Sequence, residues 1–132
     1  MSAGTGRPLF AVVEDEPFMA ELVSDMLCSA DVDVEVCTLG EDLFKSANLQ
    51  NFKGILLDLS LPDMDGFDVM DRLASDTTRL LCDVPIVLMS GHDTETLRAA
   101  RIYGKGADLN VRAALSKPFA RDDLLAALGL SA

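Results

Sequence analysis

In four places along this chain of 132 residues an apolar run ends on groups able to do chemistry. Glu14, Asp15 and Glu16 follow Leu9–Val13, Asp58 follows Gly54–Leu57, Ser90 follows Pro85–Met89, and Ser116 and Lys117 follow Ala113–Leu115. Two carboxylates about 5 Å apart repel by roughly 3 kcal/mol at an effective dielectric near 20. A hard divalent cation removes that penalty, and Mg²⁺ accepts one or two carboxylates while keeping waters and phosphate oxygens in its other positions. Lys117 and Ser90 beside such a cation suit a phosphoryl group, whose oxygens need neutralising and hydrogen bonds. Asp58 sits between Leu57 and Leu59. A carboxylate there is expected to be partly buried, which is costly unless it is paired or bound to a metal. With Asp58 at the centre the chemistry becomes phosphoryl transfer onto a carboxylate. Taken alone, Asp15 or Glu16 reads first as a cap of the helix that follows.

These groups can meet only if the runs that carry them lie side by side with their ends together. Leu9–Val13, Gly54–Leu57 and Pro85–Met89 are polar-poor throughout, as central strands of a doubly covered parallel sheet are. Two weaker runs, Val32–Val36 and Ala113–Leu115, fit outer strands. Between them lie segments of helical period. From Glu16 to Ala30, Phe18, Met19, Leu22, Val23, Met26 and Leu27 form a wide apolar stripe. Further helices are indicated by Leu43, Phe44 and Ala47, by Phe67, Val69, Met70 and Leu73, and by Leu97, Ala100, Arg101 and Tyr103. The last, Leu124, Leu125 and Leu128, opens on Asp122 and Asp123, acids suited to the positive end of a helix. This alternation predicts an α/β fold: a doubly wound, five-stranded parallel sheet flanked by five helices, with right-handed crossovers. Such sheets gather ligands at the carboxyl ends of their strands.

Composition narrows the classes. With 49% hydrophobic and 25% charged residues the chain reads as one globular domain. Its 22 acidic and 11 basic residues leave a net charge of -11. That balance disfavours direct nucleic-acid binding and favours a cation or a basic partner. No apolar run approaches the roughly 20 residues of a membrane span, and the start MSAGTGRPLF has no signal-peptide core, so a cytoplasmic location without membrane contact is expected. Cys28, Cys37 and Cys82 form an odd set with no close pair, each in or beside an apolar stretch, and read as small core hydrophobes rather than zinc ligands.

Taken in order, Glu14-Asp15, the block LLDLSLPDMDGFDVM from Leu56 to Met70, Ser90-Gly91 and Lys117-Pro118-Phe119 resemble the receiver domain of two-component response regulators, from Leu9 to Leu128. The resemblance implies the flavodoxin-like strand order 2-1-3-4-5, a receiver over residues 9–130 and an N-terminal extension over 1–8. It implies Asp58 as phosphoacceptor, charged by a sensor histidine kinase or a histidine phosphotransfer protein. Asp15 would bind Mg²⁺ directly and Glu14 through water, with Asp58 and the carbonyl of Ser60 as further ligands. Ser90 would hydrogen-bond the phosphoryl group, Lys117 would pair with it, and Lys117-Pro118 would be cis. A downstream output domain or protein would read the state, with no turnover of a separate substrate. Asp63 and Asp65 read as structural residues of the turn after Asp58, out of reach of the metal.

Departures from the family pattern are Glu14 for the usual Asp, Ser90 for the commoner Thr, and Ala114 where an aromatic switch residue is usual. The stretch from Gly106 to Lys117 is also longer than the usual link, and Leu109-Asn110-Val111 resembles receivers attached to cyclic-di-GMP phosphodiesterase domains. Ala114 keeps open a second reading, a degenerate receiver acting as a phosphorylation-insensitive interaction module, or one in which Tyr103 takes over the switch. A haloacid-dehalogenase phosphatase would want an Asp where this chain has Ser60. His92 reads as a solvated loop residue or as a modulator of water access to the phosphoaspartate.

Overall fold

The computed structural model describes residues 6–75, 81–91 and 94–130. Five strands, β1 (Leu9–Val13), β2 (Asp33–Cys37), β3 (Gly54–Asp58), β4 (Ile86–Ser90) and β5 (Val111–Ser116), form one parallel sheet in the order β2-β1-β3-β4-β5. Between and after them run α1 (Pro17–Cys28), α2 (Gly40–Lys45), α3 (Gly66–Ala74), α4 (Thr94–Gly106) and α5 (Arg121–Ala127), with a 3-10 turn at Leu49–Asn51. The α/β class, the strand order and the five flanking helices agree with the sequence expectation. Among the described residues, no helix is long and apolar enough to cross a membrane.

Every residue of β1, β3 and β4 is buried. Side chains alternate between faces along a strand, and the two faces feed two cores. Ala11, Val13, Ile55, Leu57, Ile86 and Leu88 pack with Leu43 of α2, Val69, Met70 and Leu73 of α3, and Leu97 and Ala100 of α4. Phe10, Val12, Leu56, Val87 and Met89 pack with Val23 and Leu27 of α1 and Leu124 of α5. The edge strands β2 and β5 are only half-buried, which is why their apolar runs were weaker.

Several helices differ in detail from their sequence patterns. α1 ends at Cys28, short of Ala30, and starts on a cap: the Glu16 carboxylate accepts from the N–H groups of Phe18 at 3.2 Å and Met19 at 2.8 Å. Its buried line is Ala20, Val23 and Leu27, while Phe18 is 72% exposed. At 3.6 residues per turn Phe18 falls roughly 140° from Val23, too far round to reach the sheet. Cys37 and Cys82 are buried, but Cys28 is exposed at the end of α1, correcting its assignment to the core. On α4 the buried residues are Leu97, Ala100 and Gly104, and Arg101 and Tyr103 face outward. The Tyr103 hydroxyl donates to Asp71 Oδ1 of α3, and its ring meets Phe67 edge-on with centroids 5.3 Å apart. These contacts tie α3 to α4.

The long link before β5 is taken up partly in the strand itself. Ile86 is opposite Val111 and Val87 opposite Ala113, leaving Arg112 as an extra residue on β5. α4 lies so close to β5 and α3 that a Cβ on Gly104 would stand 2.5 Å from Val111 Cγ2 and 3.0 Å from Met70 Sδ. Gly104→Val should therefore destabilise the chain by about 1–3 kcal/mol through overpacking. Urea unfolding followed by circular dichroism would detect this as a lower midpoint at unchanged slope.

Candidate functional site

Parallel register assembles the site. Val13 of β1 is opposite Leu57 of β3, so one further step sets Glu14 beside Asp58 at a strand spacing of about 4.8 Å. The Glu14 N–H donates to the Cys37 carbonyl at 2.9 Å, carrying strand hydrogen bonding one residue past β1. Glu14, Asp15 and Asp58 each present a carboxylate oxygen, and these atoms lie within 4.8 Å of one another. Glu14 is 1% exposed and Asp58 4%, while Asp15 faces solvent.

Lys117 arrives from the far side of the sheet. Its N–H donates to the Ser90 carbonyl at 2.8 Å, extending the pairing of β5 with β4, and the Lys117-Pro118 bond is cis. Its ammonium pairs with Glu14 Oε1 and lies 3.4 Å from Asp58 Oδ2. Ser90, 1% exposed, closes β4 rather than following it. Ser60 is exposed, and its N–H donates to Asp58 Oδ1 at 3.2 Å. The structure thus gathers Glu14, Asp15, Asp58 and Lys117 around one point, with Ser90 at the adjoining strand end and Ser60 in the loop beyond Asp58. His92 lies outside the described residues.

The remaining acids nearby are tied elsewhere. Asp65 caps α3 by accepting from the Asp68 N–H at 2.9 Å. The Asp63 carboxylate accepts from the N–H groups of Gly40 and Glu41, each at 2.9 Å, and these bonds hold its carboxyl below the ordinary range. Glu16 caps α1. The Asp63 bond to the start of α2 spans 23 residues of sequence, and the sequence offered no signal of that partner.

Electrostatically the pocket is short of positive charge. Burial, and then the neighbouring Asp58 carboxylate, push the Glu14 carboxyl up, and the Lys117 ammonium only partly opposes them. Three carboxylates against one ammonium, all oxygen donors on the acidic side, fit a hard divalent cation with room for water and phosphate oxygens. Soft or nitrogen-preferring metals find no Cys or His in that group of ligands.

Residues 10–129 match the family described as the response regulator receiver domain. The chain belongs to this receiver family. The receiver is 30% identical over 126 residues to the probable transcriptional regulatory protein TcrX of Mycobacterium tuberculosis, covering 95% of this chain and 50% of that protein. It is 32% identical over 115 residues to the cell cycle transcriptional regulator CtrA of Caulobacter vibrioides, covering 87% and 46%. The chain therefore spans about half the length of these curated relatives. Among solved structures, a sensor protein from Polaromonas sp. JS666 superposes with a TM-score of 0.77 at 27% identity, covering 93% of this chain and 94% of that one. The receiver domain of the sensor histidine kinase PA1611 from Pseudomonas aeruginosa PAO1, which has a magnesium ion coordinated in its active site cleft, gives a TM-score of 0.73 at 28% identity, covering 93% and 95%.

The raised Glu14 carboxyl sets a pH dependence. Between its ordinary value, 4.5, and its folded value the folded receiver holds a proton that the unfolded chain releases, so this group's contribution to stability falls as pH rises through that interval. In EDTA, Glu14→Gln should flatten that fall and should melt no lower than the parent at pH 7. Added MgCl₂ should stabilise the parent by about 2.7 kcal/mol at a hundredfold excess over Kd, and Asp15→Asn by much less. Differential scanning fluorimetry across a pH series reads both effects.

Proposed function

We propose that the receiver accepts a phosphoryl group on Asp58 from a histidine kinase or histidine phosphotransfer protein of a two-component relay. The observation that carries this reading is a buried carboxylate at a strand end with two further carboxylates within 4.8 Å and the Lys117 ammonium 3.4 Å from its Oδ2. In the transfer an Asp58 oxygen attacks phosphorus, a P–O bond forms, and the P–N bond to the donor imidazole breaks with its electron pair returning to nitrogen.

The chain's own groups prepare that step. The Ser60 N–H orients the Asp58 carboxylate through Oδ1. Lys117, already against Asp58, is placed to follow negative charge from the carboxylates onto a phosphoryl oxygen. The hydroxyl of Ser90 at the neighbouring strand end offers a hydrogen bond to another. Asp15, the exposed member of the group, is assigned as the direct Mg²⁺ ligand, Glu14 as a ligand through water, and Asp58 and the Ser60 carbonyl as further ligands. Bound Mg²⁺ would supply the positive charge that lets an anionic phosphodonor approach three carboxylates.

A receiver over residues 9–130, with 1–8 as an N-terminal extension, acting in the cytoplasm on a downstream output domain or protein, completes the proposal. Leu109-Asn110-Val111 supports an output of cyclic-di-GMP phosphodiesterase type, whereas the curated relatives named above are transcriptional regulators. The net charge of -11 supports a receiver that leaves any nucleic-acid contact to its output.

Incubation with acetyl phosphate and Mg²⁺ should add one phosphoryl group to the intact protein by mass spectrometry. Asp58→Asn, or EDTA, should abolish it. Equal labelling of parent and Asp58→Asn would overturn the assignment, and no labelling of either would favour a constitutive interaction module.

A further inference from the structure

The segment between β3 and α3, residues 59–65, carries Ser60 and is fastened at both ends. The Leu59 N–H donates to the Met89 carbonyl at 3.0 Å, which continues β3 against β4 by one residue past Asp58. The Leu59 carbonyl in turn accepts from the Gly66 N–H at 3.0 Å, and Ser60 and Asp65 face each other as an antiparallel bridge. What projects beyond these fastenings is the tip, Leu61-Pro62-Asp63-Met64. Ser60, Pro62 and Asp63 are exposed, so burial does little to fix this stretch and hydrogen bonds must.

The tip is held from α2. The Asp63 carboxylate accepts from the N–H groups of Gly40 and Glu41, each at 2.9 Å. Met64 lies against the same spot: a Cβ on Gly40 would stand 2.5 Å from Met64 Cγ and 2.8 Å from Met64 Sδ. Helix α2 in turn needs this partner. Its first N–H groups have no acceptor within the helix, and Leu39, just before Gly40, has no side-chain oxygen to offer them. Three residues before Gly40, the Cys37 carbonyl accepts from the Glu14 N–H at 2.9 Å, which anchors this segment to the site. With strands ordered β2-β1-β3, the loops after β2 and β3 stand on either side of the end of β1. The Asp63 bonds therefore close a ring that runs from Glu14 through Cys37, Gly40 and Asp63 back to Ser60 and Asp58.

We propose that Asp63 is a positioning residue for the phosphoryl and metal site: by fastening the loop tip to α2 it fixes the Ser60 peptide, whose N–H holds Asp58 Oδ1 at 3.2 Å. The inference rests on the assignment of the Ser60 carbonyl as a Mg²⁺ ligand. Asp63 acts through Ser60 and touches neither the cation nor the phosphoryl group. Two charge-assisted bonds from one carboxylate to adjacent N–H groups set an orientation as well as a distance. Groups that orient a metal ligand in this way typically cost about 10–100-fold in metal affinity when removed.

The test separates positioning from helix capping. In the unphosphorylated full chain, Asp63→Ala should weaken Mg²⁺ binding by about tenfold or more, read by isothermal titration calorimetry with MgCl₂. It should also lower the melting temperature in EDTA, because α2 loses its cap. Adding Leu39→Ser, at a position already extended as an N-cap with φ -126° and ψ 152°, gives α2 a cap of its own. That second change should restore the melting temperature but not the Mg²⁺ affinity. Asp63→Asn removes the same charge but keeps one acceptor oxygen, and should bind Mg²⁺ more tightly than Asp63→Ala. In EDTA, with no metal present, the Ser60 amide should lose protection from hydrogen exchange in the double variant. If Asp63→Ala alone fails to fold, the double variant carries the decision. Mg²⁺ affinity unchanged without Asp63, affinity restored by Leu39→Ser, or equal weakening in Asp63→Asn and Asp63→Ala would each overturn the proposal while leaving the site's reading intact. A parent that shows neither saturable Mg²⁺ binding nor a phosphoryl adduct would overturn that reading, and the proposal with it.

Discussion

Three carboxylates held within 4.8 Å of one another is an arrangement the isolated side chains would avoid. At about 5 Å each pair repels by roughly 3 kcal/mol at an effective dielectric near 20, and burial of Glu14 and Asp58 raises the cost further. The sheet imposes it. β1 and β3 run parallel in a register that leaves Glu14 and Asp58 adjacent, and both strands are buried throughout, so neither can slip without turning its apolar residues to the wrong face. The packing of Val12, Val13, Leu56 and Leu57 is in that sense what concentrates the charge.

The surrounding loops limit and offset this crowding. Asp63 is drawn to the start of α2, Asp65 to the start of α3 and Glu16 to the start of α1, so three further nearby acids are occupied with backbone N–H groups. Lys117 reaches in from beyond β5 to supply one positive charge. The pocket that results is compact, oxygen-lined and undersupplied with cations, a chemistry that suits Mg²⁺ and a phosphoryl group together.

At the opposite edge of the sheet from β2 the balance reverses. The residue before Lys117 is Ser116, which lines an open groove under Arg98 and Arg101 of α4, so the acidic pocket and this basic groove adjoin along the end of β5. Gly104 lets α4 lie close at its far end, where no Cβ separates it from Val111, while small residues under Arg98 and Arg101 leave the near end open.

The class of fold and the residues at the strand ends were legible in the sequence, because a strand buried on both faces must be apolar along its length and its first polar residue marks its end. Leu9–Val13 and Gly54–Leu57 announced themselves in that way, and so did Glu14, Asp15, Asp58 and Lys117. Exposure around a helix was less legible: Phe18, Leu22 and Cys28 are apolar or neutral residues at α1 positions that turn away from the sheet, and apolarity alone does not say which side a neighbour will cover. Contacts far apart in sequence were legible only as a shared sheet edge, not as individual pairs. The Asp63 bonds to Gly40 and Glu41, the Lys117 pair with Glu14 and the opening between Arg98, Arg101 and Ala114 depend on how α2, α4 and β5 come to rest on the sheet. Sequence by itself determined which groups reach the sheet's edge, since period and polarity are local properties. Only the tertiary structure decided which of them touch, because distances across the chain are set by packing.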